Sequence, residues 1–377
     1  MSRVDVAVVG AGASGLGAAA ALQRSGLEPV VFERDNVVGG TWDRRYDRLR
    51  LHTIRRFSAL PFSALPRSEP RYVSKDAFAE YLREYTRQEQ LDVRVDQAVE
   101  RVTRSNGEWS FLAGGKEHRA RTVVIATGRH NEPRFPDWPG RDEFRGRLLH
   151  SVDYRSGREF EAARVLVVGI GNTGAEVAAD LVEQGVAHVA IAVRTTPPIT
   201  KRELLGIPVQ LFGMALMPFP PAAVDRVGAV LRRFGTGDLS KYGLGAEAWG
   251  PFTARRPPVI DVGFLEQLKA RRIEVRPALA KLTAAGVVYT DGREEAFDVV
   301  VAATGFTTGL ENLLASTGAL DERGLPRSRE PEPGLFFAGY DETPRGQLFE
   351  SGRGARRLAK DVRQRLDGGA SARTRAT

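Results

Sequence analysis

The 377-residue chain contains no cysteine and only five histidines. Without thiols there is no disulfide, thiolate metal site, iron–sulfur cluster or cysteine nucleophile. The redox-active cysteine pair of flavin–disulfide reductases is excluded on the same ground. The histidines (His52, His118, His130, His150 and His188) are scattered and form no HExxH, so no metal site is expected. No nucleophile–base pair stands out either. The longest apolar stretch, 209–224, contains Pro218, Pro220 and Pro221 and falls short of the ~20 residues that a membrane span needs. The opening MSRVDVAVVGAG enters a buried-strand pattern at once, with no room for a signal peptide. A soluble, cytoplasmic protein is the expectation.

The composition is that of a globular protein, with 42% apolar and 27% charged residues. The length suits two domains at roughly 150 residues each. Net charge is +8 and the pI is about 9.9. The basic residues are spread out rather than gathered in a stripe, so no nucleic-acid partner is expected.

The two halves of the sequence look alike. Each opens with an apolar strand, a glycine-rich turn and an Ala-rich helix, runs through a short β-meander, and closes on Ala-Thr-Gly. In the first half the strand is 4–9, the turn 10–15, the meander about 93–120, and the close is at Gly128. Asn106-Gly107 is a type I′ hairpin signal within that meander. In the second half the strand is 165–168, the turn 169–174, the meander about 273–297 with Asp291-Gly292 as its turn, and the close is at Gly305. This order predicts an α/β fold with two Rossmann-like dinucleotide-binding domains, parallel sheets and crossover helices.

Gly10-x-Gly12-x-x-Gly15 lies between a strand and a helix. Gly10 permits the tight turn, Gly12 the approach of a pyrophosphate, and Gly15 close helix packing. Amides at Ala13 and Ser14 would face the phosphates at the helix N-terminus. Glu33, with Arg34 beside it, ends the next strand and is placed to accept hydrogen bonds from ribose hydroxyls. In the second half Gly169, Gly171, Asn172, Thr173 and Gly174 form the matching turn. There the next strand ends in Arg194, followed by Thr195. A guanidinium pairs with a 2′-phosphate that a carboxylate would repel, so this site should take NADPH rather than NADH. Lys201 and Arg202 could add phosphate contacts. An acid-terminated site suits FAD, and the two together suggest hydride passing from nicotinamide to flavin.

Between the two sites lies Phe144-x-Gly146-x-x-x-His150-x-x-x-Tyr154. This resembles the FxGxxxHxxx(F/Y) fingerprint of class B flavoprotein monooxygenases. Beyond it, YDRLRLHT (46–53), ALPFSALP, RYVSKDAFAEYLREY, LLHSVDYRSG, VLVVGIGNTGAEVAADL, GTGDLSKYGL, PPVIDVG, VAATGF and GLFFAGY are similar to YUCCA-type flavin monooxygenases over nearly the whole chain. The resemblance implies tightly bound FAD, NADPH as reductant, dioxygen as cosubstrate and a C4a-(hydro)peroxyflavin as oxygenating species. It also implies that the fingerprint couples the domains rather than doing chemistry.

By the same resemblance, Gly40, Thr41 and Trp42 belong to a GGxW loop along the flavin. Thr127 and Gly128 pass the FAD diphosphate, and Gly339, Tyr340, Gln347 and Leu348 form the last strand end and helix start. Thr304, Gly305 and Phe306 line the domain junction. The Asn that many flavin-containing monooxygenases carry after GGxW is absent from LRLHT. His52, the one catalytic candidate, or Thr53 would fill that space.

A small aromatic or lipophilic substrate is expected, with oxidative decarboxylation of a 2-oxo acid ahead of N- or S-oxygenation. A flavin reductase serving a partner protein is a further alternative. Arg255 and Arg256 could meet a substrate carboxylate. The expected organisation is an FAD-binding domain at 1–155 and 300–366 and an NADPH-binding domain at 156–299. A lid-like insertion is expected at about 196–258, its apolar residues covering the substrate, and a disordered tail at 367–377. A homodimer is left open.

Overall fold

The computed structural model describes residues 2–341, 343 and 345–374. Its first sheet is built on Ser2–Val9, which pairs in parallel with Pro29–Phe32 on one side and Lys116–Ile125 on the other. Asp92–Arg94 extends the sheet beyond Pro29–Phe32, and Leu335–Phe337 adds in parallel to Lys116–Ile125. Both faces are covered, so the central strands read as continuous apolar runs rather than alternating ones. Val6, Val8, Val31 and Val124 are all fully buried, each worth roughly 1.5–3 kcal/mol relative to exposure. On one face, alanines of the helix Ala13–Arg24 let it press closely on the C-terminal helix through Ala355, Leu358, Ala359 and Val362. The meander Val99–Ser105 and Glu108–Ala113 turns at Asn106 and Gly107, both at positive φ, as a type I′ turn requires.

The second sheet is parallel throughout, in the order Glu274–Arg276, His188–Ala192, Arg164–Val168, Val299–Ala302, Arg147–His150. Two expected domain edges therefore move. Arg147–His150 and Val299–Ala302 both belong to the second sheet, because Val300 pairs with Leu148 on one side and Leu166 on the other. The expected disordered tail is also corrected. The last helix runs from Gln347 to Thr374 without a break, and 375–377 lie outside the described residues. Among the described residues no helix is long and apolar enough to cross a membrane.

The insertion between the strands His188–Ala192 and Glu274–Arg276 of this sheet carries the helices Val209–Leu216 and Pro221–Thr236. The second of these runs against expectation. Its Val227, Val230, Leu231 and Phe234 point to solvent, Phe234 at 85% exposure, while its inner face buries Val224 and Thr236 among polar contacts. Asp225 accepts hydrogen bonds from the Phe252 and Thr253 amides, and Arg232 pairs with Glu247. Its outer stripe therefore covers nothing in this chain. The first helix does reach across. Gln210 accepts from the Ile54 amide at 3.1 Å and donates to the Arg345 carbonyl, clasping two loops of the first unit.

The fingerprint segment is a structural bolt. Gly146 leaves no room for a side chain, since a Cβ there would lie 2.4 Å from the Phe144 ring and 2.5 Å from the Asp298 carbonyl. Tyr154 is fully buried, and its hydroxyl donates to Asp180 Oδ2 at 2.6 Å. The Gly157 amide donates to the same oxygen at 2.8 Å. Asp180→Ala strands two buried donors, at about 1–3 kcal/mol each. We expect a clear fall in the thermal unfolding midpoint, and a smaller one for Tyr154→Phe, which leaves the Gly157 bond intact. Unchanged midpoints in both variants would contradict the assignment.

Candidate active site

Two glycines of each turn are dictated by the protein itself. A Cβ on Gly15 would stand 1.9 Å from the Gly10 carbonyl oxygen, and one on Gly174 1.9 Å from that of Gly169. Gly10 and Gly169 have φ of 103° and 105°, which side chains rarely adopt. The middle glycines are different. Gly12 has φ of −74° and Gly171 of −85°, values any residue adopts, and a Cβ on either would meet no protein atom within 4 Å. Nothing in the chain requires glycine there. The bare backbone at the head of each helix keeps open space for an incoming group, and exposed amides at a helix start favour an anion.

Around the first turn the structure gathers most of the residues singled out from sequence. Glu33 Oε2 accepts from the Ala11 amide at 2.6 Å and Oε1 from the Asp35 amide at 2.9 Å. Each oxygen retains a lone pair for a ribose hydroxyl. Arg34 beside it is exposed. Ser14 Oγ lies 2.7 Å from Ser351 Oγ. It fits beneath Gly339, where a Cβ would come within 2.1 Å of it. Thr127 and Tyr340 share a hydrogen bond of 2.9 Å, and burial pushes the Tyr340 phenol up to about 12. Gln347 donates to the Gly339 carbonyl at 2.9 Å, and Leu348 packs on the core beside it. Gly128 has φ of 83° with open space beside it. Gly40 and Thr41 begin a single helical turn, and Trp42 meets Phe78 edge-on at 4.8 Å.

At the second turn Asn172 is engaged otherwise than expected. Its Oδ1 accepts from the Ile260 amide at 2.7 Å, tying the cradle to the returning strand of the insertion. Thr173 remains half-buried at the helix start. Arg194 and Thr195 are exposed, and Arg194 has no hydrogen bond or ion pair among the described residues. Of the two basic residues beyond it, Lys201 is exposed while Arg202 lies over the Tyr72 ring at 4.0 Å. Arg255 and Arg256 are exposed, with Arg256 over Trp249 at 4.7 Å.

The junction is closed by His150, which is fully buried. Its Nδ1 accepts from the Val152 amide at 3.2 Å, so Nε2 carries the proton and donates to the Gly305 carbonyl at 3.0 Å. Burial lowers its pKa, as it does that of His130. Both rings meet Phe306 edge-on, at 5.0 and 5.9 Å. Thr304 donates through its hydroxyl to the Arg134 carbonyl.

His52 lies with Nε2 3.1 Å from Glu176 Oε1, on the second cradle helix. Thr53 turns away, its hydroxyl 2.6 Å from that of Ser58. Sequence reading missed Glu176, Asp180 and Tyr46, all nearly fully buried. Burial and the facing Glu176 carboxylate push the Tyr46 phenol well up. The two acids sit four apart on an Ala-rich helix, a spacing that puts both on one face. That was the available signal. Elsewhere, His188, Glu274 and Glu295 converge within metal-ligand reach. There Arg276 and Arg164 already pair with Glu295, and the cluster is an ion-pair network.

Two tests follow from this geometry. Gly15→Ala should abolish or severely impair folding, whereas Gly12→Ala should leave the thermal midpoint of the protein free of added nucleotide unchanged; equal damage from both would contradict the reading. His150 and His130 are neutral in the fold, so the unfolded chain binds more protons below its histidine pKa of about 6.5. Stability is therefore full above that pH and declines as pH falls below it. His150→Gln should make the decline between neutral pH and pH ~5.5 shallower, measured by chemical unfolding. An unaltered slope would contradict a buried neutral His150.

The comparisons with known proteins agree with this geometry. The family described as pyridine nucleotide-disulphide oxidoreductase matches residues 7–204; the chain shares that fold without any cysteine to form the disulphide. The rice indole-3-pyruvate monooxygenase YUCCA1 is 38% identical, over 94% of this chain and 90% of its own length. YUCCA6 of Arabidopsis thaliana is 34% identical, over 94% and 89%. A double mutant of the flavin monooxygenase from Stenotrophomonas maltophilia superposes with a TM-score of 0.75 at 26% identity, covering 96% of this chain and 98% of that one. Cyclohexanone monooxygenase, at 21% identity and a TM-score of 0.76 over 98% and 89%, shares the fold. With paired cradles, the buried fingerprint histidine and relatives of this identity along nearly all its length, the chain belongs to the YUCCA-type flavin monooxygenase family.

Proposed function

We propose that this monooxygenase binds FAD in the first cradle and NADPH in the second, and oxygenates an aromatic 2-oxo acid with loss of its carboxyl group. The observation that carries the cofactor reading is the open space beside Gly12 and Gly171, glycines that the fold does not need. The amides of Gly12, Ala13 and Ser14 would hold the FAD diphosphate and Glu33 its ribose, with Gly128, Gly339 and Tyr340 alongside. Bound flavin, once reduced by NADPH, supplies the activation of dioxygen. The chain's own contribution is placement and exclusion of water. His150 fixes the Gly305 turn at the junction, and Gln210 draws the insertion over the loops at Ile54 and Arg345. The insertion acts in this reading as a lid through its first helix.

The 2-oxo acid follows from the relatives, two of which are named indole-3-pyruvate monooxygenases. A cytoplasmic location, where NADPH is available, and a homodimer are compatible with this reading, and nucleic acid has no part in it. The test is a panel of aromatic 2-oxo acids, amines and sulfides scored by product formed rather than NADPH consumed. The chain-shortened acid is expected. Oxygenated amines or sulfides alone would overturn the substrate, and NADPH oxidation without any oxygenated product would favour a reductase.

Arg194 is assigned to the 2′-phosphate. A hydrogen bond to a charged group contributes about 1.5–3 kcal/mol, so Arg194→Gln should lower the NADPH-over-NADH preference in kcat/KM by about 10- to 100-fold. A preference that stays put would remove Arg194 from the site.

His52, facing Glu176 across the two units, is proposed to hold the loop beyond Trp42 in register with the second cradle helix. His52→Ala should lower the fraction of NADPH that ends in product, and His52→Asn should restore part of it. Unchanged coupling in the alanine variant would take His52 out of the reaction.

A further inference from the structure

Arg45 follows the Trp42 turn and reaches the domain junction, where its guanidinium lies 5.2 Å above the Phe306 ring. It is half-buried, and it makes no hydrogen bond or ion pair through its side chain among the described residues. Its neighbours do not compensate it. Arg44 is paired with Asp35 at 2.7 Å, and Arg155 donates to the carbonyls of Val152 and Tyr154. His130 and His150 are neutral rings, and the Glu176 carboxylate faces His52 and Tyr46. Burial holds the Arg45 guanidinium below its ordinary pKa, yet arginine stays protonated in proteins. A partly desolvated cation without a carboxylate costs free energy unless an anion arrives.

Its position says which kind of anion. Phe306 follows Thr304-Gly305 just past the C-terminal end of Val299–Ala302, and in open α/β sheets ligands bind outside those strand ends. The proposed nucleotide already has its counter-charges: the helix start at Gly171 for the diphosphate and Arg194 for the 2′-phosphate. The insertion arginines that sequence offered to a substrate carboxylate are exposed, and Arg256 stacks on Trp249. The FAD diphosphate likewise has the helix start at Gly12, whereas the carboxylate of the organic substrate has no counter-charge among these groups.

We propose that Arg45 is the specificity-determining residue that pairs with the substrate carboxylate in front of Phe306. The assignment rests on the 2-oxo acid reading above. A guanidinium meets a carboxylate through two parallel N–H donors, and the apolar Phe306 ring beneath keeps water from one face of the pair. The cation fixes the acid end, so the adjoining carbonyl is presented in one orientation.

The probes are indole-3-acetate and its uncharged counterpart indole-3-acetamide, titrated calorimetrically into FAD-loaded protein with NADP⁺ present. Arg45→Gln, Arg45→Lys and the unsubstituted protein are compared, and NADP⁺ is titrated into each separately. The unsubstituted protein should bind the acid about tenfold or more tightly than the amide. Arg45→Gln should erase that ratio by weakening the acid alone, Arg45→Lys should keep part of it, and NADP⁺ affinity should be the same in all three. An acid-to-amide ratio unchanged in Arg45→Gln would overturn the proposal. So would weakened NADP⁺ binding with the ratio intact, which would give Arg45 to the nucleotide. No preference for the acid in the unsubstituted protein would overturn it too. The product panel separates the two failures: chain-shortened acid formed while the ratio survives in Arg45→Gln condemns only the assignment of Arg45.

Discussion

Each half of the molecule turns on one strand-to-helix corner where backbone meets backbone with no space between. The helix beginning at Gly15 and the one at Gly174 rest directly on the carbonyls of Gly10 and Gly169. That closeness brings the helix starts to the strand ends, and the glycine left over in the middle of each corner leaves its amides bare. Everything that could hold a dinucleotide follows from this arrangement: the acid at the end of one neighbouring strand, the arginine at the end of the other, and the Ala-Thr-Gly turns opposite. Were the helices set back by the width of a methyl group, neither helix start would face its strand ends so closely.

The two corners are held toward each other by buried polar contacts rather than by one shared sheet. His52 and Tyr46 of the first unit converge on Glu176 of the second, while within the second His150 holds the Gly305 turn and Tyr154 and the Gly157 amide meet Asp180. Such groups are costly to bury and cost more when half-satisfied. They give a junction with a defined geometry, where hydrophobic packing alone would allow sliding. The insertion adds a second restraint through Gln210, while its outer helix turns an apolar stripe to solvent.

What could be read from the chain beforehand was what depends on near neighbours. The glycine spacing, the strand-ending Glu33 and Arg194, and the Asn106-Gly107 hairpin are local patterns with local causes, and the structure has them where the pattern puts them. The misplacements are all long-range. Residues 147–150 are expected in the first domain, but their partner Val299–Ala302 decides which sheet they join. Asn172 sits in the turn where the pattern puts it, but that its side-chain oxygen is taken by Ile260, far along the chain, is a long-range fact. The basic tail of small residues carries little helical signal of its own, yet it continues a helix anchored by Ala355, Leu358 and Val362. Arg45 was invisible because its meaning lies in a missing partner, and no sequence displays an absence of contact.

If the two cradles open onto one crevice, a nicotinamide bound in one can reach a flavin bound in the other. Anaerobic mixing of FAD-loaded protein with NADPH in a stopped-flow spectrometer tests this without any organic substrate. The account predicts bleaching of the flavin absorbance at a rate that saturates with NADPH. Flavin that stays oxidised while NADPH is demonstrably bound would contradict it.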